Sequence, residues 1–381
     1  MNKSLIIFIT VLLCGMILAT AEVSAKPFGY LDTETNRTFV PLRYLSEHFQ
    51  CEVIWDAEQQ KIFLSREDMD IALTVGQHQV IVNGELHALD GVPFIDQDVT
   101  YVPLRFIGQH LQISLEWEAG TQAVVVQDQY RTFRLPIIQR GSLNGRKAIE
   151  LTEKTFIVGS KQIRSHVLAI DLLNPGVQVT VGLARDKVGQ VAELKQIADT
   201  NQAVAAVNGT FFDAYTDGDI QIPYGFIVSN GELVHPSTEK RSVLVVGPNT
   251  DLEIVSGDVF PARLQQGAVT AAIQAGPRLL TDGKITVNPE AEGFRDPKIL
   301  TNSGARTALG ITDEHYLLLV TTPAATIPEL AEWMQKAGAV QAMNLDGGAS
   351  SGLYYESSYI TKPGRPISNA LLIQYSDPEA D

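Results

Sequence analysis

The stretch Thr326-Ile327-Pro328-Glu329-Leu330-Ala331-Glu332-Trp333-Met334-Gln335-Lys336-Ala337-Gly338-Ala339-Val340-Gln341-Ala342-Met343-Asn344-Leu345-Asp346-Gly347-Gly348 holds a helix and a strand joined by one glycine. Thr326 and Glu329 form a capping box, Pro328 sits near the first helical position, and Gly338 stands where a helix ends. The apolar run 339–344 then breaks on Asp-Gly-Gly. Working outward, period-two patterns predict further strands at 166–173, 177–183, 204–207, 224–229, 242–246, 305–311, 316–321 and 368–375. Asn230-Gly231 and Asp282-Gly283 mark hairpins. Only one more helix, 190–199, stands out here. Many strands with a few helices predict an α+β domain of mostly antiparallel strands.

Three segments share one design, an apolar strand that runs straight into polar residues and glycine. They are Ala205-Ala206-Val207-Asn208-Gly209-Thr210-Phe211-Phe212-Asp213, Ser303-Gly304-Ala305-Arg306-Thr307-Ala308-Leu309-Gly310, and Met343-Asn344-Leu345-Asp346-Gly347-Gly348-Ala349-Ser350-Ser351-Gly352. Glycines let backbone N–H groups converge on an anion without a Cβ in the way. Arg306 offers a planar fork suited to phosphate oxygens, and Ser350 and Ser351 add hydroxyl donors. Asp346 and Asp213 supply carboxylates in matching motifs. Asp213, Asp217 and Asp219 form an acidic loop of the kind that holds a hard cation such as calcium, although calcium needs more oxygens than these three supply.

Upstream the chain repeats itself. Thr38-Phe39-Val40-Pro41-Leu42-Arg43-Tyr44 recurs as Thr100-Tyr101-Val102-Pro103-Leu104-Arg105-Phe106, and Trp55 recurs as Trp117. Each copy predicts a strand ending at proline, an amphipathic helix, and a strand carrying the tryptophan. Arg43 and Arg105 are expected to brace against carboxylates such as Asp56 or Glu118. His48, His78, His87 and His110 lack the spacing of a metal site. Tyr130 to Lys147 reads as a linker.

Lys3, the apolar run from Leu5 to Leu18 and Val23-Ser24-Ala25 read as a signal peptide, with Lys26 the expected first mature residue. The run is shorter than the ~20 apolar residues of a membrane span. Leu12 and Leu13 before Cys14 do not suit lipidation, and Cys51, alone beyond the signal, leaves no internal disulfide. The formal net charge of −15 argues against nucleic acid as a partner. An anionic substrate therefore needs a local cluster of donors.

In order, Asn208-Gly209-Thr210-Phe211-Phe212, Tyr224-Gly225-Phe226, Ala275-Gly276-Pro277-Arg278, Ala305-Arg306-Thr307-Ala308-Leu309-Gly310, Asn344-Leu345-Asp346-Gly347-Gly348 and Pro366-Ile367-Ser368-Asn369-Ala370 resemble the phosphodiester glycosidase family from Val158 to Tyr375. Residues 28–128 resemble the copper amine oxidase N-terminal-like, or stalk, domain. The implied layout is a signal peptide over 1–25, the stalk over 28–128, a linker over 129–147 and the glycosidase domain over 148–381. The chain departs from the family at Ala349, where glycine is frequent, and after Leu319-Val320-Thr321-Thr322-Pro323, where Val-Asp-Gly-Arg is frequent.

The resemblance implies an exported α-N-acetylglucosaminidase-like hydrolase acting on a sugar-1-phosphodiester in cell-surface or extracellular glycans. No cofactor is required, although calcium is compatible. The partners expected are a phosphorylated glycan and, through the stalk, the cell wall. Asp346, Asp213 and Arg306 are the expected catalytic residues. Asn208, Gly209, Arg278, Gly347, Gly348, Ser350, Ser351 and Asn369 are the expected substrate contacts. A non-catalytic protein that binds phosphorylated wall glycans through the same pocket is the alternative reading.

Overall fold

The computed structural model describes residues 26–49, 51–66, 69–111, 113–127, 132–216 and 218–377, so the expected signal segment lies outside the described residues. The architecture is the expected α+β one, with five largely antiparallel sheets and six α-helices among the described residues. None of these helices is long and apolar enough to cross a membrane.

The two motif copies become Arg37–Pro41 and Val99–Pro103, which pair antiparallel with Val40 opposite Val102. Both valines are fully buried. Each proline ends its strand and the next residue starts a helix, Leu42–His48 or Leu104–Leu111. Proline fixes φ and has no N–H to lose at that junction. These strands belong to a seven-stranded sheet, while Glu52–Asp56, Lys61–Arg66, Met69–Thr74, Gln79–Val82 and Glu85–Ala88 form a separate five-stranded one.

Two expectations are corrected in this domain. Thr132–Gln139 is not linker but a strand lying parallel to Gly29–Asp32, with Gly29 opposite Ile137. Phe133, Leu135 and Ile137 are buried in alternation, a pattern that Arg134 and Pro136 disguise in the sequence. Arg105 meets Asp90 rather than Glu118, at 3.8 Å, and Glu118 pairs with Arg134 at 3.2 Å.

The second domain has three sheets around one core. Strands Lys161–Asp171, Tyr316–Ala325, Gly304–Thr312, Ala339–Asn344 and Arg278–Thr281 lie side by side in a seven-stranded sheet. A five-stranded sheet carries Val177–Leu183, Asn369–Tyr375 and Ala205–Asn208 in neighbouring positions, and another centres on Ala271–Gln274. Leu168, Val179, Leu244, Leu309, Met343 and Leu371 from all three sheets share a single apolar cluster. Helix Ile327–Lys336 carries the expected capping box: the Thr326 N–H donates to Glu329 at 2.8 Å, and the Glu329 N–H donates to Thr326 Oγ1 at 3.3 Å. Its Trp333 is fully buried and donates from Nε1 to Ile163 O at 3.1 Å. The helix thereby holds the strand that delivers Asp346.

The domains meet through charge and hydrogen bonds. Arg134 Nη1 lies 2.7 Å from Glu253 Oε2, Lys26 Nζ donates to the carbonyls of Leu172 and Val177, and Asn249 Nδ2 donates to Tyr44 Oη at 2.8 Å.

Candidate functional site

The two large sheets of the second domain are stitched together where strands Ala205–Asn208, Gly304–Thr312 and Ala339–Asn344 approach one another. Asn208, 1% exposed, accepts from Thr307 Oγ1 at 2.8 Å and from the Gly352 N–H at 2.9 Å, and donates to Asp346 O at 2.7 Å. The Asp346 N–H donates to Gly209 O at 3.1 Å, and the Leu345 N–H donates to Thr307 O at 2.8 Å. All three segments singled out from the sequence thus converge on one point, and Asp346 stands at it.

Asn369 joins from the neighbouring strand. Its Oδ1 accepts from the Thr210 N–H at 3.0 Å and its Nδ2 donates to Thr210 Oγ1 at 2.7 Å. A Cβ on Gly209 would come 2.1 Å from that Oδ1, so only glycine fits there. Asn208 and Asn369, expected as substrate contacts, spend their side chains on holding the strands.

Asp346 is half-buried and caps its own turn, with Oδ1 accepting from the Gly347 N–H at 2.8 Å. Loss of hydration pushes its carboxyl up to about 6, against the opposing pull of hydrogen bonds from Ser350 and the Gly347 N–H and of the Arg365 charge. Gly348 has φ +62 with nothing within 4 Å of where a Cβ would stand, so the turn faces open space. Ser350 and Ser351 are buried, and Ser351 Oγ has no hydrogen-bond partner.

The two expected arginines prove to be fasteners. Arg306, 4% exposed, donates from Nε to Ala325 O at 2.9 Å and from Nη2 to the carbonyls of Lys298 and Asn302, each at 2.7 Å. It underlies the Gly347 turn and holds the 298–302 loop with Nε and Nη2, while Nη1 lies beside Gly347. Arg278 donates to the carbonyls of Leu280 and Ile254 and to Gln341 Oε1, which occupies its guanidinium as well.

Asp213 follows the Asn208-Gly209 segment. It is half-buried, its backbone N–H donates to Ile222 O at 2.9 Å, and its charge helps raise the Tyr224 phenol, after burial, while Arg241 opposes that rise. Asp219 is exposed and Asp217 lies outside the described residues. Among the described residues no three His, Cys, Asp or Glu side chains converge as a metal site.

Cations stand at the rim instead. Arg365 Nη2 donates to Tyr215 Oη at 3.0 Å, its guanidinium carbon lies 4.8 Å from that ring's centre, and Lys298 Nζ lies 5.3 Å from it. Tyr215 is 73% exposed. The Gly364 N–H donates to Ala349 O at 2.7 Å, seating the Arg365 loop on the Asp346 turn. On another wall Arg241 lies 4.6 Å from the Phe294 ring centre and 5.6 Å from that of Phe211, with its Nε buried, without a hydrogen bond and 3.7 Å from Glu239 Oε2. The buried Asn344 Oδ1 is likewise unpartnered.

The profile of the phosphodiester glycosidase family matches residues 201–374, a span that contains every one of these groups, and that of the copper amine oxidase N-terminal domain matches residues 19–161. The chain carries a phosphodiester glycosidase domain. No curated protein sequence matches the chain. The fold of the glycosidase domain is similar to that of the zebrafish N-acetylglucosamine-1-phosphodiester α-N-acetylglucosaminidase catalytic domain, auto-inhibited by pro-peptide, at 20% identity and TM-score 0.52 over 61% of this chain and 85% of that one. A hypothetical protein from Synechocystis is similar across both domains, at 13% identity and TM-score 0.52 over 91% of this chain and 96% of that one.

Sequence reasoning missed Arg365, Lys298, Tyr215 and Arg241. Arg365 was within reach, because it directly precedes the Pro366-Ile367-Ser368-Asn369-Ala370 motif. Tyr215 and Lys298 belong to loops that only the fold brings to Arg365, and Arg241 to one that the fold sets against Phe211 and Phe294.

Proposed function

We propose that this protein is an exported hydrolase that cleaves the bond between an anomeric carbon and a phosphate oxygen in a sugar-1-phosphodiester, with N-acetylglucosamine as the sugar and a cell-surface or extracellular glycan as the source. The observation that carries the reading is Asp346, an acid raised to about 6 at the open end of a strand, with Arg365 close enough to affect its ionisation. A site built only to bind a phosphate gains nothing from a carboxylate there, since like charges repel. A site that must stabilise a sugar cation needs one.

In this mechanism ionised Asp346 acts on the anomeric carbon, as nucleophile or as base for water. The C–O bond breaks with its electron pair passing to the phosphate, and the water oxygen ends on the sugar. A phosphate is a stable anion, so a strong general acid is less needed than for an ordinary glycoside. Arg365 and Lys298 stand where charge-assisted hydrogen bonds would strengthen as charge reaches the departing oxygen. Arg306 and Asn208 keep the Asp346 turn in place.

Hydrolysis of N-acetylglucosamine-1-phosphodiesters in heavy-oxygen water tests the proposal. Label is expected in the released sugar, and label in the phosphate would replace the glycosidase reading with P–O cleavage. Mass measurement of the protein recovered outside the cell tests export, with Lys26 expected as its first residue.

A further inference from the structure

The internal repeat reaches further than its motif. The shift that carries Thr38 onto Thr100 also carries the strands Glu52–Asp56, Lys61–Arg66 and Met69–Thr74 onto Ser114–Glu118, Ala123–Gln127 and Thr132–Gln139 with their register intact. Ile54 opposes Phe63 as Glu116 opposes Val125, and Phe63 opposes Ala72 as Val125 opposes Arg134. Equivalent positions therefore mark equivalent sides of the two sheets.

In the second copy this side meets the glycosidase domain at Arg134 and the Gly120 turn, while Glu116 stays exposed. Arg134 meets Glu253 there at 2.7 Å, and Gly120 lies so close to Asp282 that a Cβ would collide with it. In the first copy the same side is uncovered and apolar. Ile54, Phe63, Ala72, Ile81 and Leu86 stand directly opposite one another across all five strands. Ile54 is 55% exposed, Phe63 41%, Ile81 45% and Leu86 65%, while Ile62, Leu64, Ile71, Leu73 and Val80 fill the core behind them. At about 4.8 Å per strand the row is ~20 Å long, the scale of a protein interface rather than of scattered apolar residues.

We propose that this row is an interface between two copies of the chain. A side that accepts a folded domain in one repeat has the shape to accept one in the other. The row carries no charge from end to end, so stacking it on itself buries apolar surface without stranding an ion. Glu52, Ser65 and Asp70 line one side, with Asp56, Lys61, Thr74 and Gln79 on the other. A two-fold axis along the row stacks each apolar side chain on its counterpart and places Lys61 of each copy over Ser65 of the other, between Glu52 and Asp70, with Asp56 over Glu52 at the edge strand, where solvent screens the pair.

Sedimentation velocity on the purified protein across micromolar concentrations tests this. A dimer is expected for the natural chain. Phe63→Glu with Ile81→Glu should weaken it by about thirtyfold or more, the effect of losing a central apolar contact. The far-ultraviolet circular dichroism spectrum should not change, because both side chains stand on the exposed face of the sheet. Ile95→Glu alters another exposed residue, 40% accessible and outside the row, and should leave the dimer intact. A natural chain that stays monomeric overturns the proposal, as does a dimer that survives the double substitution. A monomer that co-sediments with purified cell wall, and loses that ability in the double variant, also overturns it and gives the face to the wall instead.

Discussion

The floor and the rim of the site handle their polar groups in opposite ways. On the floor, Asn208, Asn369 and Arg306 are all at most 4% exposed and donate or accept inside the fold. On the rim, Arg365 and Lys298 flank a tyrosine that is 73% exposed. Asp346 belongs to both, since its backbone is bonded into the floor and its carboxylate is influenced by the rim. A motif rich in functional residue types can therefore be mostly scaffold, with the groups free to meet a ligand supplied by less distinctive loops.

The largest effect expected from this contrast is at Asp346. Asp346→Asn retains an acceptor for the Gly347 N–H but loses the charge that stabilises a sugar cation, so kcat should fall by several powers of ten. Stability should hold or rise. The folded protein binds a proton at Asp346 more tightly than the unfolded chain, whose ordinary value is 3.8, so the ionised form costs stability fully above about 6 and less as pH falls. Thermal melts beside a sugar-release assay check this. Unchanged turnover would remove Asp346 from catalysis, and lost folding would make it a turn residue only.

A smaller effect belongs to the rim. Arg365→Met removes a charged donor from the expected phosphate position, and kcat/KM should drop about ten- to a hundredfold, the weight of a hydrogen bond to a charged group. The pH profile gives an independent signature. Activity requires ionised Asp346 and should fall as pH drops through about 6 in the natural protein. Arg365 favours the ionised form, so without it the acidic limb should move to higher pH. A profile that stays in place would show that Arg365 does not act on Asp346, whatever its effect on KM.

Much of this was legible in the sequence, and what was not has physical reasons. The capping box, the glycine at 338 and the strand into Asp346 follow from local chemistry, and the structure reproduces them. The meeting of three motifs was readable because each ended a strand alike. Their division of labour was not, because a guanidinium that binds phosphate and one that ties loop carbonyls look identical in a sequence. The Nε and Nη2 donors of Arg306 went to Ala325, Lys298 and Asn302, residues set beside it by tertiary packing. The strand at 132–139 escaped because Arg134 and Pro136 point to an interface that the sequence does not announce.

The smallest effect on turnover is expected at Arg306, and it sharpens the contrast most. If Arg306 were the phosphate fork, Arg306→Lys would cripple kcat, since an ammonium cannot form the two parallel bonds. As a floor residue it should behave differently. Lysine keeps the aliphatic stem under Gly347 but cannot reach all three carbonyls, and leaving buried acceptors unpaired costs about 2 kcal/mol. For a domain of this size that is a loss of several degrees in thermal midpoint. Turnover per folded molecule should stay within a few fold of the natural protein, measured well below the lowered midpoint. A large fall in kcat with an unchanged midpoint would return Arg306 to the ligand and break the division between floor and rim.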